Sequence, residues 1–210
     1  SGVDGVSVGD RVLCFLGHGG MAEEINVPAG AVVPMPPGMD YKTAAAVTLT
    51  YCTSYHALNQ RAQLAKGEKL LVLGAAGGVG LAAVELGKMM GAEVIAAASN
   101  ADKLALAKSR GADHLINYTE GSLKEQVKAL TNGAGVDVIY DPVGGEMFDD
   151  CLRSLAWNGR LLVIGFASGE IPKAPANLPL LKGSSIVGVF WGAFTLKEPK
   201  AHQENMMELA

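Results

Sequence analysis

The stretch Lys69-Leu-Leu-Val-Leu-Gly74-Ala-Ala-Gly77-Gly78-Val-Gly80-Leu-Ala-Ala-Val84 decides the fold. Its opening run, Lys69 to Leu73, is too short for a helix and ends in glycines, so it reads as a buried strand. From Val79 to Met90 the apolar residues fall at helical spacing instead. Between the two lies Ala75-x-Gly77-x-x-Gly80, a variant of the dinucleotide fingerprint with Ala75 in place of the first glycine. The chemistry requires small residues here. One makes the tight turn, one lets the backbone approach a pyrophosphate, and one lets helix pack on strand. The helix N-terminus then offers free N–H groups and a positive dipole end to phosphates. A glycine triplet alone is weak; this one sits where a strand pattern turns into a helix pattern.

The second strand, Glu93 to Ala98, runs into Ser99-Asn100. Sites that grip an unphosphorylated ribose place a carboxylate there, about 20 residues after the glycines. None is present. Ser99 can contact a 2′-phosphate without repelling it, and Lys103 can add positive charge. Lys103 can equally be a solvated helix residue. Asp102 is a competing negative charge, expected to point elsewhere. The pattern favours NADPH.

Working outward, Ala101 to Arg110 reads as a helix stopped by Gly111. His114–Ile116, Val136–Tyr140, Arg160–Ile164 and Ser185–Phe190 read as strands, and Ser122–Leu130 and Glu146–Ala156 as helices. Continuous apolar strands alternating with helices predict a doubly wound parallel α/β sheet, a Rossmann fold, covered on both faces. Upstream, Thr43–Leu58 is alanine-rich and helix-like. Before it, Asp10–Cys14 and Met21–Val27 read as strands, and Pro34-Met-Pro-Pro-Gly38 should end regular structure. A domain boundary is placed near Asp40, dividing residues 1–39 from 40–210. A helix is expected from Pro199 onward.

Of the 210 residues, 49% are hydrophobic and 18% charged, a core-forming and soluble composition. The net charge of −4 and the lack of a basic block argue against nucleic acid and anionic membrane surfaces as main partners. Charge or glycine interrupts every apolar run short of a membrane span. Cys14, Cys52 and Cys151 are scattered, which argues against a disulfide framework and for buried, reduced thiols.

Several segments together resemble the medium-chain dehydrogenase/reductase superfamily. They are Gly77-Gly78-Val79-Gly80, Gly9-Asp10-Arg11-Val12, Gly20-Met-Ala22-Glu23-Glu24, Arg110-Gly111-Ala112-Asp113 and Asp141-Pro-Val143-Gly144-Gly145. The branch resembled is that of the quinone oxidoreductases, which includes zeta-crystallin. This resemblance implies that residues 1–39 are the end of a GroES-like β-barrel domain. It implies that Thr53, in Thr53-Ser54-Tyr55, lies near the nicotinamide, and that Lys103 and Tyr118 grip the 2′-phosphate. Val143 would flank the adenosine half, and Gly165, Phe166 and Ala167 the nicotinamide half. Phe190 and Trp191 are either part of the nicotinamide wall or plain core or interface aromatics.

Zinc alcohol dehydrogenases share the fold. Where they carry a catalytic zinc ligand, four residues before the threonine matched by Thr53, this chain has Leu49, which cannot coordinate a metal. Neither the four-cysteine structural site nor any other metal site is expected. His18 and His56 read as structural. The implied reaction is hydride transfer from NADPH to a quinone or enone, with no side chain of this chain assigned as acid or base. A 2-enoyl thioester reductase and a non-catalytic cofactor-binding regulatory protein are the alternatives. The chain opens without Met and reads as a piece cut from a longer protein at both ends, of cytoplasmic or mitochondrial location. The apolar, uncharged Ser185–Phe190 strand is expected to pair with a second copy into a homodimer, unless the C-terminal helix covers it.

Overall fold

The computed structural model describes residues 5–209. A short ribbon opens the chain. Strand β1 (Val12–Cys14) pairs antiparallel with β2 (Val32–Pro34). The Arg11 guanidinium hydrogen-bonds to the Met39 carbonyl and lies 4.7 Å from the Tyr41 ring centroid, tying this ribbon to the first helix. That helix, α1 (Tyr41–His56), begins at Asp40, whose carboxylate accepts the Lys42 and Thr43 N–H groups at 2.9 and 3.0 Å, and it runs into a π-helical turn at Ala57–Arg61.

The main sheet has six parallel strands: β3 (Lys69–Leu73), β4 (Glu93–Ala98), β5 (His114–Asn117), β6 (Val136–Asp141), β7 (Leu155–Val163) and β8 (Ser185–Gly188). Their order is β5-β4-β3-β6-β7-β8, all pairs parallel. The chain starts in the middle, builds outward to β5, returns to the centre and builds outward again to β8. This is the doubly wound Rossmann order, with its switch point between β3 and β6.

The intervening helices are α2 (Gly78–Met89), α3 (Ala101–Ser109), α4 (Leu123–Leu130), α5 (Met147–Ser154), α6 (Asn177–Lys182), α7 (Trp191–Lys197) and α8 (Pro199–Leu209). Alternation along β3 divides the core in two. Leu70 and Val72 pack with α1, α2 and α3, while Leu71 and Leu73 pack with α4, α5 and α6. Both faces are thus covered, which explains why the strands are apolar throughout. No described helix is long and apolar enough to cross a membrane.

Several expectations fail. Met21–Val27 forms no strand; those residues are mostly exposed, with no partner strand among the described residues to take up their backbone groups. Regular structure does stop at Pro34, as expected, at a ribbon end where its missing N–H costs nothing; strand β2 before it was not foreseen. The helix expected to Ala156 stops at Ser154. Strand β7 begins at Leu155, and the ladder shifts register between Val136 and Val138, with Asn158 at φ 61°. Phe190 lies outside β8 and starts α7. Helices α6 and α7 were not foreseen. Cys52 and Cys151 are buried free thiols, but Cys14 is exposed because the outer face of the ribbon is uncovered.

Candidate functional site

At the switch point, the carboxyl ends of β3, β4, β5, β6 and β7 surround a cleft of about 620 Å³. The turn after β3 supplies Gly74, Ala76, Gly77, Gly78 and Val79. The start of α3 supplies Asp102, Lys103 and Leu106; Tyr118 follows β5, Pro142 and Val143 follow β6, and Ala167 follows β7.

The glycines do what a phosphate turn requires. A Cβ on Gly80 would lie 2.3 Å from the Gly74 carbonyl oxygen, so only glycine lets α2 close onto the turn. A Cβ on Gly78 would meet Thr50 Cγ2 at 3.0 Å. Gly74 has φ 56°, and a Cβ there would meet Val143 Cγ2 at 3.3 Å. The first intrahelical bond of α2 is from Leu81 N–H to the Gly77 carbonyl, 2.8 Å. The N–H groups of Gly78, Val79 and Gly80 come before it, in the turn where a helix leaves its donors free. This donor set fits a diphosphate.

Two buried groups hold the turn in place. Ser54 Oγ donates to the Val79 carbonyl at 2.9 Å and pairs with the Tyr140 hydroxyl at 2.8 Å, joining α1, α2 and β6. Asp141, at the end of β6, accepts the N–H groups of Val143 and Gly144, each at 2.9 Å. Burial raises the Asp141 pKa, against the lowering effect of these two bonds. The β6 and β7 loops are then joined by Ala167 N–H to the Pro142 carbonyl and Ser168 N–H to the Val143 carbonyl, both 3.0 Å.

The structure divides the sequence-predicted residues into three groups. Gly77, Gly78, Val79, Lys103, Tyr118, Val143 and Ala167 line the cleft. Others stand next to it. Ser99 adjoins it, with Lys103 Nζ donating to Ser99 Oγ at 3.0 Å. Gly80 acts beneath it, in the packing of α2. Gly165 lies behind the lining, its Cβ position 3.5 Å from the Pro142 carbonyl, and Phe166 packs over Gly144. Thr53 and Phe190 are not brought to the cleft. Thr53 is half-buried on α1, and Phe190 is 77% exposed at the start of α7. Trp191 is a core residue, 3% exposed, packed with Cys52 and Phe194 and edge-on to Phe15 at 4.5 Å. Asp102 does not point elsewhere; it lines the cleft beside Lys103, because α3, capped by Asn100, starts at the cleft and places its first turn there. His56 is buried and stacked on Phe194, centroids 3.9 Å apart.

Sequence reasoning missed Ser54, Tyr140 and Asp141. The Asp-Pro step after an apolar strand is a turn signal that could have pointed to Asp141. Ser54 carried none, because its partner lies 86 residues away.

A family model described as "Zinc-binding dehydrogenase" matches residues 78–209, more than half of the chain. The chain belongs to that family. Within it, the medium-chain dehydrogenase/reductases, the chain is 44% identical over 208 residues to quinone oxidoreductase-like protein 2 homolog of Nematostella vectensis, covering 98% of this chain and 57% of that one. The chain therefore spans a little over half of that relative's length. Among solved structures it resembles the quinone oxidoreductase of Thermus thermophilus, studied also as its complex with NADPH (37% identity, TM-score 0.83, 96% of this chain and 64% of that one). It also resembles the CurK enoyl reductase (29% identity, TM-score 0.87, 99% and 61%). The family's description mentions zinc, but the described residues of this chain hold no group of three or more His, Cys, Asp or Glu arranged to bind a metal ion. Leu49 stands exposed on α1.

Proposed function

We propose that the protein is a zinc-independent, NADPH-dependent reductase that transfers hydride to a quinone or another conjugated carbonyl compound. The observation that carries this is the end of β4. Where a carboxylate would bind a free ribose, Ser99 and Lys103 stand 3.0 Å apart beside a cleft that Tyr118 also lines. When bound, NADPH supplies the hydride. The Gly77–Gly80 turn would hold the diphosphate through backbone N–H groups. Ser99, Lys103 and Tyr118 would hold the 2′-phosphate. Val143, anchored by Asp141, would flank the adenosine half, and Gly165, Phe166 and Ala167 would flank the nicotinamide half. No side chain of this chain is assigned as acid or base. Residues 1–39 are read as the end of a GroES-like domain and 40–210 as the cofactor domain. Leucine at position 49 has no lone pair for a metal, which supports a reaction without zinc.

A second reading, reduction of 2-enoyl thioesters, is favoured by the likeness to the CurK enoyl reductase. Both readings share the cofactor and differ only in the acceptor.

Calorimetry on the full-length protein tests the cofactor. A charge-assisted contact to phosphate contributes about 1.5–3 kcal/mol, so NADPH should bind roughly tenfold or more tighter than NADH. Lys103→Ala should shrink that preference. Equal affinity for the two would sink the reading. Turnover against quinones, enones and enoyl thioesters then decides between the acceptors.

A further inference from the structure

A second cavity lies at the opposite edge of the sheet, where β6 and β7 begin. Its volume is about 280 Å³, and its walls are the 133–135 loop, Leu155 and Trp157 at the start of β7, and the basic residues Lys124, Lys128, Arg153 and Lys182. No carboxylate lines it, in a chain whose net charge is −4. We propose that this cavity is an anion site for a phosphate or diphosphate group, with Lys128 and Lys124 as its main cationic contacts.

The four cations are not equivalent. Lys182 Nζ donates to the Arg153 and Leu155 carbonyls, both at 2.6 Å, where α5 ends. One of its three donors remains. Arg153 is held by Asp149, Nε to Oδ2 2.6 Å. Lys124 reaches only its exposed sequence neighbour Glu125, at 3.4 Å. Lys128 makes no ion pair among the described residues. Burial, and then the charges of Arg153 and Lys124, lower the Lys182 pKa, as expected of a partly buried ammonium group among other cations.

The floor is built rather than loose. Thr131 Oγ1 donates to the Val127 carbonyl at 2.8 Å and accepts the Gly135 N–H at 3.0 Å. Gly135 has φ 82°, and a Cβ there would lie 2.7 Å from the Ser154 carbonyl oxygen, so the loop is pressed against the start of β7. The volume falls below the roughly 300–1,000 Å³ of sites for drug-sized ligands, which selects a small anionic group over a whole cofactor.

The chain has two tryptophans. Trp191 is buried, whereas Trp157, at the cavity wall, is 72% exposed and serves as a reporter. Pyrophosphate would be titrated into the full-length protein while tryptophan fluorescence is followed, with adenosine 5′-diphosphate in a parallel series. A saturable change is expected. Lys128→Gln and Lys124→Gln should each weaken it about tenfold, and Lys103→Ala, in the other cleft, should leave it unchanged. Adenosine diphosphate binding as tightly through Lys128 assigns the group to a larger phosphorylated molecule; tighter pyrophosphate assigns it to a free anion. No saturable change up to about 10 mM overturns the proposal. So does a change abolished by Lys103→Ala but not by Lys128→Gln, since the anion would then be in the cofactor cleft.

Discussion

Asp102 and Lys103 are neighbours in the first turn of α3, and they are the two charged residues that line the cleft. They act on a 2′-phosphate with opposite sign. Two unit charges 4 Å apart in a water-like surround interact by about 1 kcal/mol. Asp102→Asn should therefore tighten NADPH about fivefold and change NADH little, as read by calorimetry; weaker NADPH binding would show that the aspartate orders the helix start more than it repels the ligand. Asp141 supports a different expectation. Its carboxylate is the acceptor for two backbone N–H groups of the β6 loop. Asp141→Ala leaves both unsatisfied and should cost about 1–3 kcal/mol, while Asp141→Asn keeps one oxygen acceptor and should cost less. Thermal unfolding of the two variants checks this, and equal losses would refute the role of the hydrogen bonds. The cleft's glycines and Lys103 were legible in the sequence because turn chemistry and strand-end position are local properties, whereas Tyr118 and Val143 came from the resemblance to the superfamily. Ser54 was not, because a serine on a helix reveals nothing until Tyr140 is folded against it.

At the level of elements, the unit of β3, α2 and β4 was read almost to its bounds, since buried strands, a glycine turn and an apolar helix stripe leave strong local patterns. The packing within it makes a sharper prediction. Helix α2 lies close on the sheet at two glycines. A Cβ on Gly80 would be 2.3 Å from the Gly74 carbonyl oxygen, and one on Gly87 would be 2.5 Å from Leu70 Cδ2. The first neighbour is backbone of the phosphate turn; the second is the end of a side chain that can rotate. Gly80→Ala should cost about 1–3 kcal/mol of stability and also weaken NADPH, whereas Gly87→Ala should cost less and spare the cofactor. Thermal unfolding with and without NADPH measures both. A larger loss at Gly87 would mean that Leu70 has nowhere to go. Elements fixed by distant partners were misread. Met21–Val27 has strand-like composition, but a strand exists only where a ladder forms. Residues 155–159 join β7 because β6 pairs with them across a register shift, and α6 and α7 have too few residues for periodicity to show.

For the whole molecule, two expectations arise that no single element carries. The first is acid sensitivity. His56 and His202 flank Phe194, and burial lowers both pKa values from 6.5. Their neutral forms favour the fold, so this stability is present above pH 6.5 and is lost as pH falls toward the lower folded values. The lowered carboxylates Glu68, Glu93 and Asp113 act below their ordinary 4.5 and 3.8, outside this window. Tm should fall between about pH 7 and 5, and the double variant His56→Gln, His202→Gln should flatten that slope; an unchanged slope would assign it elsewhere. The second is association. Strand β8 stands at the sheet edge, as expected, and α8 packs with Cys52 and Phe194 rather than along β8. Leu180 and Leu181 before it, and Phe190 and Leu196 after it, are exposed. An uncharged apolar edge is a template for another chain, and two such edges meeting antiparallel across a two-fold axis make an isologous dimer. Val187 is half-buried against the inner core, so a charge there would unfold as well as separate. Ile186 is exposed, and Ile186→Lys blunts the edge without entering the core. Sedimentation of the full-length protein should give a dimer for the wild type and a folded monomer for Ile186→Lys. A wild-type monomer, or a dimer indifferent to the lysine, would place the interface elsewhere.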